Sequence, residues 1–217
     1  MTSLTKTHIV TISGPSLSGK TELSKMLAVG FGFGSVVSHT TRAKRAHEVD
    51  GVDYNFVSED EFNKIKFIQT TKFSDNLYGV SEDEVLKKNR NVLLWVIAPG
   101  SINQVETFCK ENNCNLTKIF VTNPHEVLFD RLMDRYYNDQ NADPVNYLKR
   151  VYSMFKVEGE WVKEVVENPE KYDLVFMKFN ENNTNDVLNV VLNKISEKND
   201  DFFLFEKRVD ALKKRIK

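Results

Sequence analysis

The chain has 217 residues, of which 41% are hydrophobic and 28% charged, with a formal net charge of −1. These values describe one globular domain, with room at most for a small inserted subdomain. The even charge argues against wholesale nucleic-acid binding, no run reaches the about 18 apolar residues of a membrane span, and Cys109 and Cys114 form neither a metal-ligand spacing nor a disulfide framework. The opening MTSLTKTHIV has no charged segment followed by an apolar run, so no signal peptide is expected and the cytoplasm is the default location.

His8 to Ser13 is a short apolar run ending in Gly-Pro, the pattern of a buried strand. A helix is predicted from about Gly19 to Val29, with Leu23, Met26 and Leu27 on its inner face, and GFGFGS (30–35) ends it. That glycine run follows a helix and has the wrong spacing for a dinucleotide fingerprint. From Ser38 to about Asn91 the pattern changes to short strands and short helices. SEDEF (58–62) reads as a capping box of Ser58 and Glu61, and SEDEV (81–85) repeats the device with Ser81 and Glu84. Between them, KFIQTTKFSDNLYGV predicts a hairpin around Asp75-Asn76.

Strands and helices then alternate again. Val92–Ile97 is a strand, Ile102–Asn112 a helix and Leu116–Val121 a strand. Asn123 is placed as the cap of a helix with Pro124 in its first turn, and Asp143-Pro144 opens a long helix reaching about Val166. A last strand is predicted over Tyr172–Met177 and a last core helix over Asp186–Ile195. The end of the chain, FFLFEKRVDALKKRIK (202–217), is amphipathic through Phe203, Phe205, Val209 and Leu212, and either packs back on the core or forms a dimer contact. The alternation implies an α/β fold of three layers, a mostly parallel sheet covered on both faces.

GPSLSGKT (14–21) is the phosphate-loop pattern G-x-x-x-x-G-K-[ST], placed after a strand and before a helix as the motif requires. Gly14 and Gly19 let the backbone, through Pro15, Ser16, Leu17 and Ser18, wrap close to phosphate oxygens. Lys20 supplies a cation to the transferring end of a triphosphate, and Thr21 offers a hydroxyl to Mg²⁺. The chain is therefore expected to bind ATP or GTP.

SHTTRAKRAHEVDGVDYNFVSEDEF (38–62) resembles the acceptor-binding segment of guanylate kinases, whose pattern is roughly S-x-T-T-R-x-P-R-x-G-E-x-x-G-x-D-Y-x-F. The similarity continues through FIQTTKFSDNLYGV (67–80) and NPHEVLFDRLMDR (123–135), and covers about residues 8 to 195. It implies a phosphate-loop fold with a core over 8–37 and 92–195, a β-rich acceptor-binding insert over 38–91 and a helical lid near 136–146; the amphipathic end of the chain adds a helical extension over 199–217. It implies that Arg42 and Arg45 grip the acceptor's phosphate, that Tyr54 and Tyr78 hydrogen-bond to it, and that Ser38 faces the base. Arginine's planar fork suits phosphate oxygens, and two such charges offset a dianion. Arg131 and Arg135 lie four apart on one helical face, and with Arg150 they would attend ATP and the migrating phosphoryl group. The implied activity is transfer of the terminal phosphoryl of ATP, with Mg²⁺, to GMP or dGMP. Monomer and homodimer both remain open.

Four positions depart from the family pattern. Gln69 stands where a glutamate reads guanine, and Val80 where a serine or threonine lies near the base. In the strand, VLLWVIAPG (92–100) replaces L-D-I-D-x-Q-G, so Trp95 and Ile97 stand for two aspartates. Lys44, His47 and Asp75 replace a proline and two glycines. Gln69 has an amide that donates as well as accepts, so a different or modified base is an alternative acceptor. Trp95 either covers a face of the base or packs in the core. A non-catalytic module that binds phosphorylated ligands is the remaining alternative, but such modules lose the phosphate loop, which this chain keeps.

Overall fold

A computed structural model describes residues 6–45, 48–73, 75–86, 90–138 and 143–198. The elements run in the order β1 (His8–Ser13), α1 (Lys20–Phe31), β2 (Gly34–Ser35), β3 (His39–Thr40), β4 (Asn55–Phe56), α2 (Glu59–Phe62), β5 (Phe67–Phe73), β6 (Asn76–Ser81), α3 (Glu82–Leu86) and β7 (Val92–Val96). There follow α4 (Ile102–Glu111), β8 (Asn115–Val121), α5 (His125–Asn138), α6 (Pro144–Ser153), α7 (Gly159–Glu167), β9 (Leu174–Phe176) and α8 (Thr184–Glu197).

Five strands form one parallel sheet in the order β2-β7-β1-β8-β9. Its central strand, β1, is buried along its whole length, as expected of a strand covered on both faces. Alternation sends Val10, Ile12, Leu94, Ile119 and Val121 to one face, where they pack with Leu23 and Leu27 of α1 and Val187, Val191 and Ile195 of α8. Ile9, Leu93, Trp95 and Ile97 point to the other face, against Ile102, Val105 and Phe108. A third, smaller cluster of Leu128, Leu132 and Met154 lies beneath α6, with Leu17 of the loop after β1 packed on it.

A second sheet, in the order β4-β3-β6-β5, forms the insert. The β5–β6 hairpin pairs Phe73 with Asn76, and Asp75 takes the left-handed turn position at φ 64°. That backbone is what a glycine supplies without strain, and aspartate is among the few residues that tolerate it.

Several sequence expectations change in detail. Ser58 and Glu61 make the complete capping box. Ser81 accepts from Glu84 N–H, but the Glu84 carboxylate turns to Val37 N–H at 2.9 Å and ties α3 to the chain after β2. Asn123 does not cap α5, because its amide is engaged elsewhere, as described below. The long helix opened by Asp143, which does cap it through Val145 N–H at 2.9 Å, is interrupted by a π-helical segment over Met154–Glu158. The centre of the expected lid and the 199–217 extension lie outside the described residues.

Candidate active site

The loop after β1 takes positive φ at three positions, two of them glycines. Gly14 has φ 140°, Leu17 φ 64° and Gly19 φ 98°. A Cβ at Gly14 would stand 2.0 Å from the Val121 carbonyl oxygen, and one at Gly19 would stand 2.5 Å from the Phe179 ring. Both glycines are therefore required for close approach as well as for φ. The loop leaves the carboxyl end of the central strand, where open parallel sheets place their ligands.

Other elements hold the loop in shape. Asn123 Nδ2 donates to Ser18 O at 3.1 Å while its Oδ1 accepts from Phe179 N–H at 3.1 Å. Arg131 donates through Nη1 to Leu17 O at 2.8 Å and through Nη2 to Phe179 O at 3.4 Å. Arg131 thus buttresses the loop from α5. Lys20 donates to Pro15 O at 2.6 Å, and burial holds its ammonium well below the usual lysine range, at about 8, against the opposing pull of the Glu158 carboxylate. Thr21, next in the helix, is exposed, and no described residue hydrogen-bonds its hydroxyl.

The insert brings a second set of cations. Arg42 makes a two-pronged ion pair with Glu48, at 2.7 Å and 3.0 Å, and its guanidinium lies 5.3 Å over the Tyr54 ring. Burial works against the Arg42 charge, but the hydrogen bonds and charge of Glu48 outweigh it and raise its pKa. Glu48 is 7% exposed and also accepts from Arg45 N–H at 2.8 Å. It therefore fixes both arginines. Tyr78 packs edge-on to Tyr54 at 5.9 Å and shares the hydrogen-bonding network of Arg42. Ser38 leads into β3, its carbonyl accepting from Asn55 N–H at 2.9 Å.

Four guanidiniums act on one another across the cleft. Burial and then the charges of Arg42 and Arg135 lower the Arg45 pKa. Burial and then Arg45 lower that of Arg150, which also feels Glu158. Arg42 and Arg45 come from the insert, Arg135 from α5 and Arg150 from α6, and Glu158, whose charge reaches Arg150, also acts on Lys20 at the start of α1. Positive charges gathered against their mutual repulsion are stabilised when a polyanion enters.

Of the positions that depart from the family pattern, Gln69 and Val80 pair across the β5–β6 hairpin of the insert, Trp95 and Ile97 belong to the core strand and its end, and His47 lies outside the described residues. Gln69 is 5% exposed, and its Nε2 donates to Ser101 Oγ at 2.8 Å. Its cross-strand partner Val80 is fully buried in one cluster with Trp95 and Ile97. Trp95 has no exposed surface, so of the two readings of this residue the structure selects core packing.

Glu48, Glu158 and Ser101 escaped the sequence reading. Glu48 had a signal, since it falls on the glutamate of the quoted acceptor pattern. Glu158 and Ser101 reach the site only through tertiary packing.

A phosphate loop on the central strand of a parallel sheet, facing an arginine-lined insert, defines the phosphate-loop nucleotide kinases as a class. The family model described as guanylate kinase matches residues 6–189. The chain is 31% identical over 194 residues to the guanylate kinase of Wigglesworthia glossinidia brevipalpis, covering 84% of this chain and 86% of that protein. It is 29% identical to that of Rickettsia felis, covering 91% and 95%. The crystal structure of guanylate kinase from Anaplasma phagocytophilum superposes with a TM-score of 0.60 at 21% identity, over 89% of this chain and 87% of that one, and so shares the fold. The chain belongs to the guanylate kinase family.

Proposed function

We propose that this protein is an ATP-dependent nucleoside monophosphate kinase that transfers the terminal phosphoryl of ATP to GMP or dGMP. The observation that carries the reading is the built phosphate loop at the end of the central strand, together with Arg42 and Arg45, both fixed on the insert by Glu48, and with Arg135 and Arg150 near enough to act electrostatically on Arg45 or feel it. Phosphoryl transfer asks little covalent chemistry of a protein. It requires in-line placement of two anionic substrates and compensation of charge on the equatorial oxygens. Residues 14–21 would seat the triphosphate. Arg42 and Arg45, held by Glu48, would grip the acceptor's phosphate with Tyr54 and Tyr78. Lys20, Arg135 and Arg150 would meet the group in transit, and Arg131 would keep the loop rigid behind it. Ser38 and Gln69 would border the base, with Val80, which has no exposed surface, packed behind them.

The residues present suit Mg²⁺. Among the described residues no group of three or more His, Cys, Asp or Glu is placed to hold a metal. Mg²⁺ keeps several waters and is bound through substrate phosphates with one or two protein ligands, so the Thr21 hydroxyl would suffice. When bound, the ion neutralises charge on the phosphates.

The site is built within one chain, as a monomer or each half of a homodimer would require. Among the described residues no helix is long and apolar enough to cross a membrane. The free thiols of Cys109 and Cys114 suit a reducing compartment, and we place the protein in the cytoplasm.

Gln69, with Val80 beside it, favours a second reading of the acceptor. An enclosed amide in place of a carboxylate would accept a base other than guanine. Release of ADP from ATP and Mg²⁺ against a panel of ribo- and deoxyribonucleoside monophosphates decides between the two. GMP- or dGMP-dependent release is expected. Turnover confined to another base would establish the second reading, and ATP binding without turnover on any acceptor would overturn both.

A further inference from the structure

A buried carboxylate sits on the phosphate loop. Glu158 is 2% exposed and ends the π-helical segment Met154–Glu158. Its Oε2 accepts from Ser16 N–H at 2.7 Å and its Oε1 from the Ser16 hydroxyl at 2.8 Å. Its charge acts on Lys20 and on Arg150. A loop N–H, a hydroxyl, the loop lysine and an arginine are the partners that a transferring phosphoryl group requires. π-Helical turns are uncommon and recur at functional sites. Here the π turn brings Glu158 onto Ser16.

We propose that Glu158 is a further residue of the donor site, an internal anion that holds the terminal-phosphoryl position of the loop until ATP displaces it. One N–H cannot serve two anions, and a carboxylate beside an incoming phosphoryl repels it. ATP therefore has to dislodge Glu158, whereas ADP, which lacks the third phosphate, seats without doing so. Arg150 is carried on the helix that runs into the π segment, so the displacement links arrival of the transferable group to the helix bearing a cation of the cleft.

The inference rests on residues 14–21 being the ATP site, and the test separates the two. Calorimetric titration of the full chain with ATP and with ADP is compared between wild type and Glu158→Gln at pH 6, two units below the value of about 8 at which Lys20 loses its charge. Glutamine keeps the volume and an acceptor for Ser16 but removes the charge. The variant should bind ATP about tenfold more tightly, the loss of one competing charge-assisted contact, and ADP with less than about a twofold change. Equal changes for the two nucleotides, or weaker ATP binding, would overturn the inference while leaving the donor site in place. Binding of neither nucleotide by wild type would overturn both readings. Hydrogen exchange on wild type covers the case in which the variant does not fold. Amides 154–158 should exchange faster with ATP than with ADP, and identical exchange in the two complexes would equally overturn the proposal.

Discussion

Gln69→Glu probes whether position 69 reads the acceptor base. In the wild-type structure the amide is nearly enclosed and donates to Ser101 Oγ at 2.8 Å. A glutamate there would reverse that bond and take the Ser101 hydroxyl as donor, leaving the second oxygen with its negative charge for N–H groups of the base. Hydrogen bonds to a charged acceptor contribute about 1.5–3 kcal/mol, against about 0.5–1.5 kcal/mol for neutral pairs. The gain of about 1–1.5 kcal/mol corresponds to about a 5- to 12-fold rise in kcat/KM for GMP. The same charge, buried with one donor, should cost the ligand-free protein about 1–3 kcal/mol. At roughly 2–4 °C per kcal/mol in a chain this long, Tm should fall by several degrees and recover when GMP is added. The assay is acceptor-dependent ADP release across GMP, AMP and dTMP, paired with thermal melts with and without GMP. The reasoning is refuted if kcat/KM for GMP stays flat, or changes in step with that for the other acceptors.

Two further predictions follow from the phosphate loop. Lys20 has its pKa held at about 8 by burial, so the ligand-free protein loses this cation as pH rises through that value. ATP should select the protonated form. Affinity at pH 9 should be about tenfold below that at pH 7, with proton uptake on binding visible as buffer-dependent heats, and a flat profile to pH 9.5 would remove Lys20 from the site. Gly14→Ala should prevent folding or cost at least about 3 kcal/mol, because its Cβ would stand 2.0 Å from Val121 O. Gly100→Ala, where nothing lies within 4 Å, should stay within about 0.5 kcal/mol, and equal losses in urea unfolding would refute the argument.

The parts of the fold legible in sequence were those written in local pattern. β1, the phosphate loop, β7 and α8 follow from apolar runs, glycine spacing and helical periodicity. The two-residue strand β2, at Gly34–Ser35, has no such signature, since it exists only because β7 offers it an edge. The π segment at 154–158 was equally invisible, because its apolar spacing continues that of a helix and only the pull of Glu158 onto Ser16 reveals it. Asn123 shows the same limit. Its place before Pro124 suits a cap, yet a buried amide that bridges Ser18 and Phe179 satisfies two loops at once, and tertiary demand prevails over local preference.

Packing also explains why position 69, and not 95, is the one to change back. Trp95 has no exposed surface and lies among Ile9, Val80, Leu93 and Ile97, and its Nε1–H meets no acceptor among the described residues. Losing that unpaired donor would relieve a modest cost, but Trp95→Asp would leave an indole-sized void and a carboxylate in an apolar cluster. Cavity formation at such a site costs about 3–5 kcal/mol, and the unpaired acid adds several more unless it stays protonated. Set against a typical stability of about 5–15 kcal/mol, that single change should abolish cooperative folding at ambient temperature. A folded, near-wild-type melt for Trp95→Asp would mean that the strand end is open to water. As the structure stands, Trp95, Ile97 and Val80 form one apolar block that joins the insert to the sheet. The acids of the family pattern can therefore return to this strand only if Val80 and its neighbours change with them, whereas the Gln69 amide, already paired to a hydroxyl, can be exchanged alone.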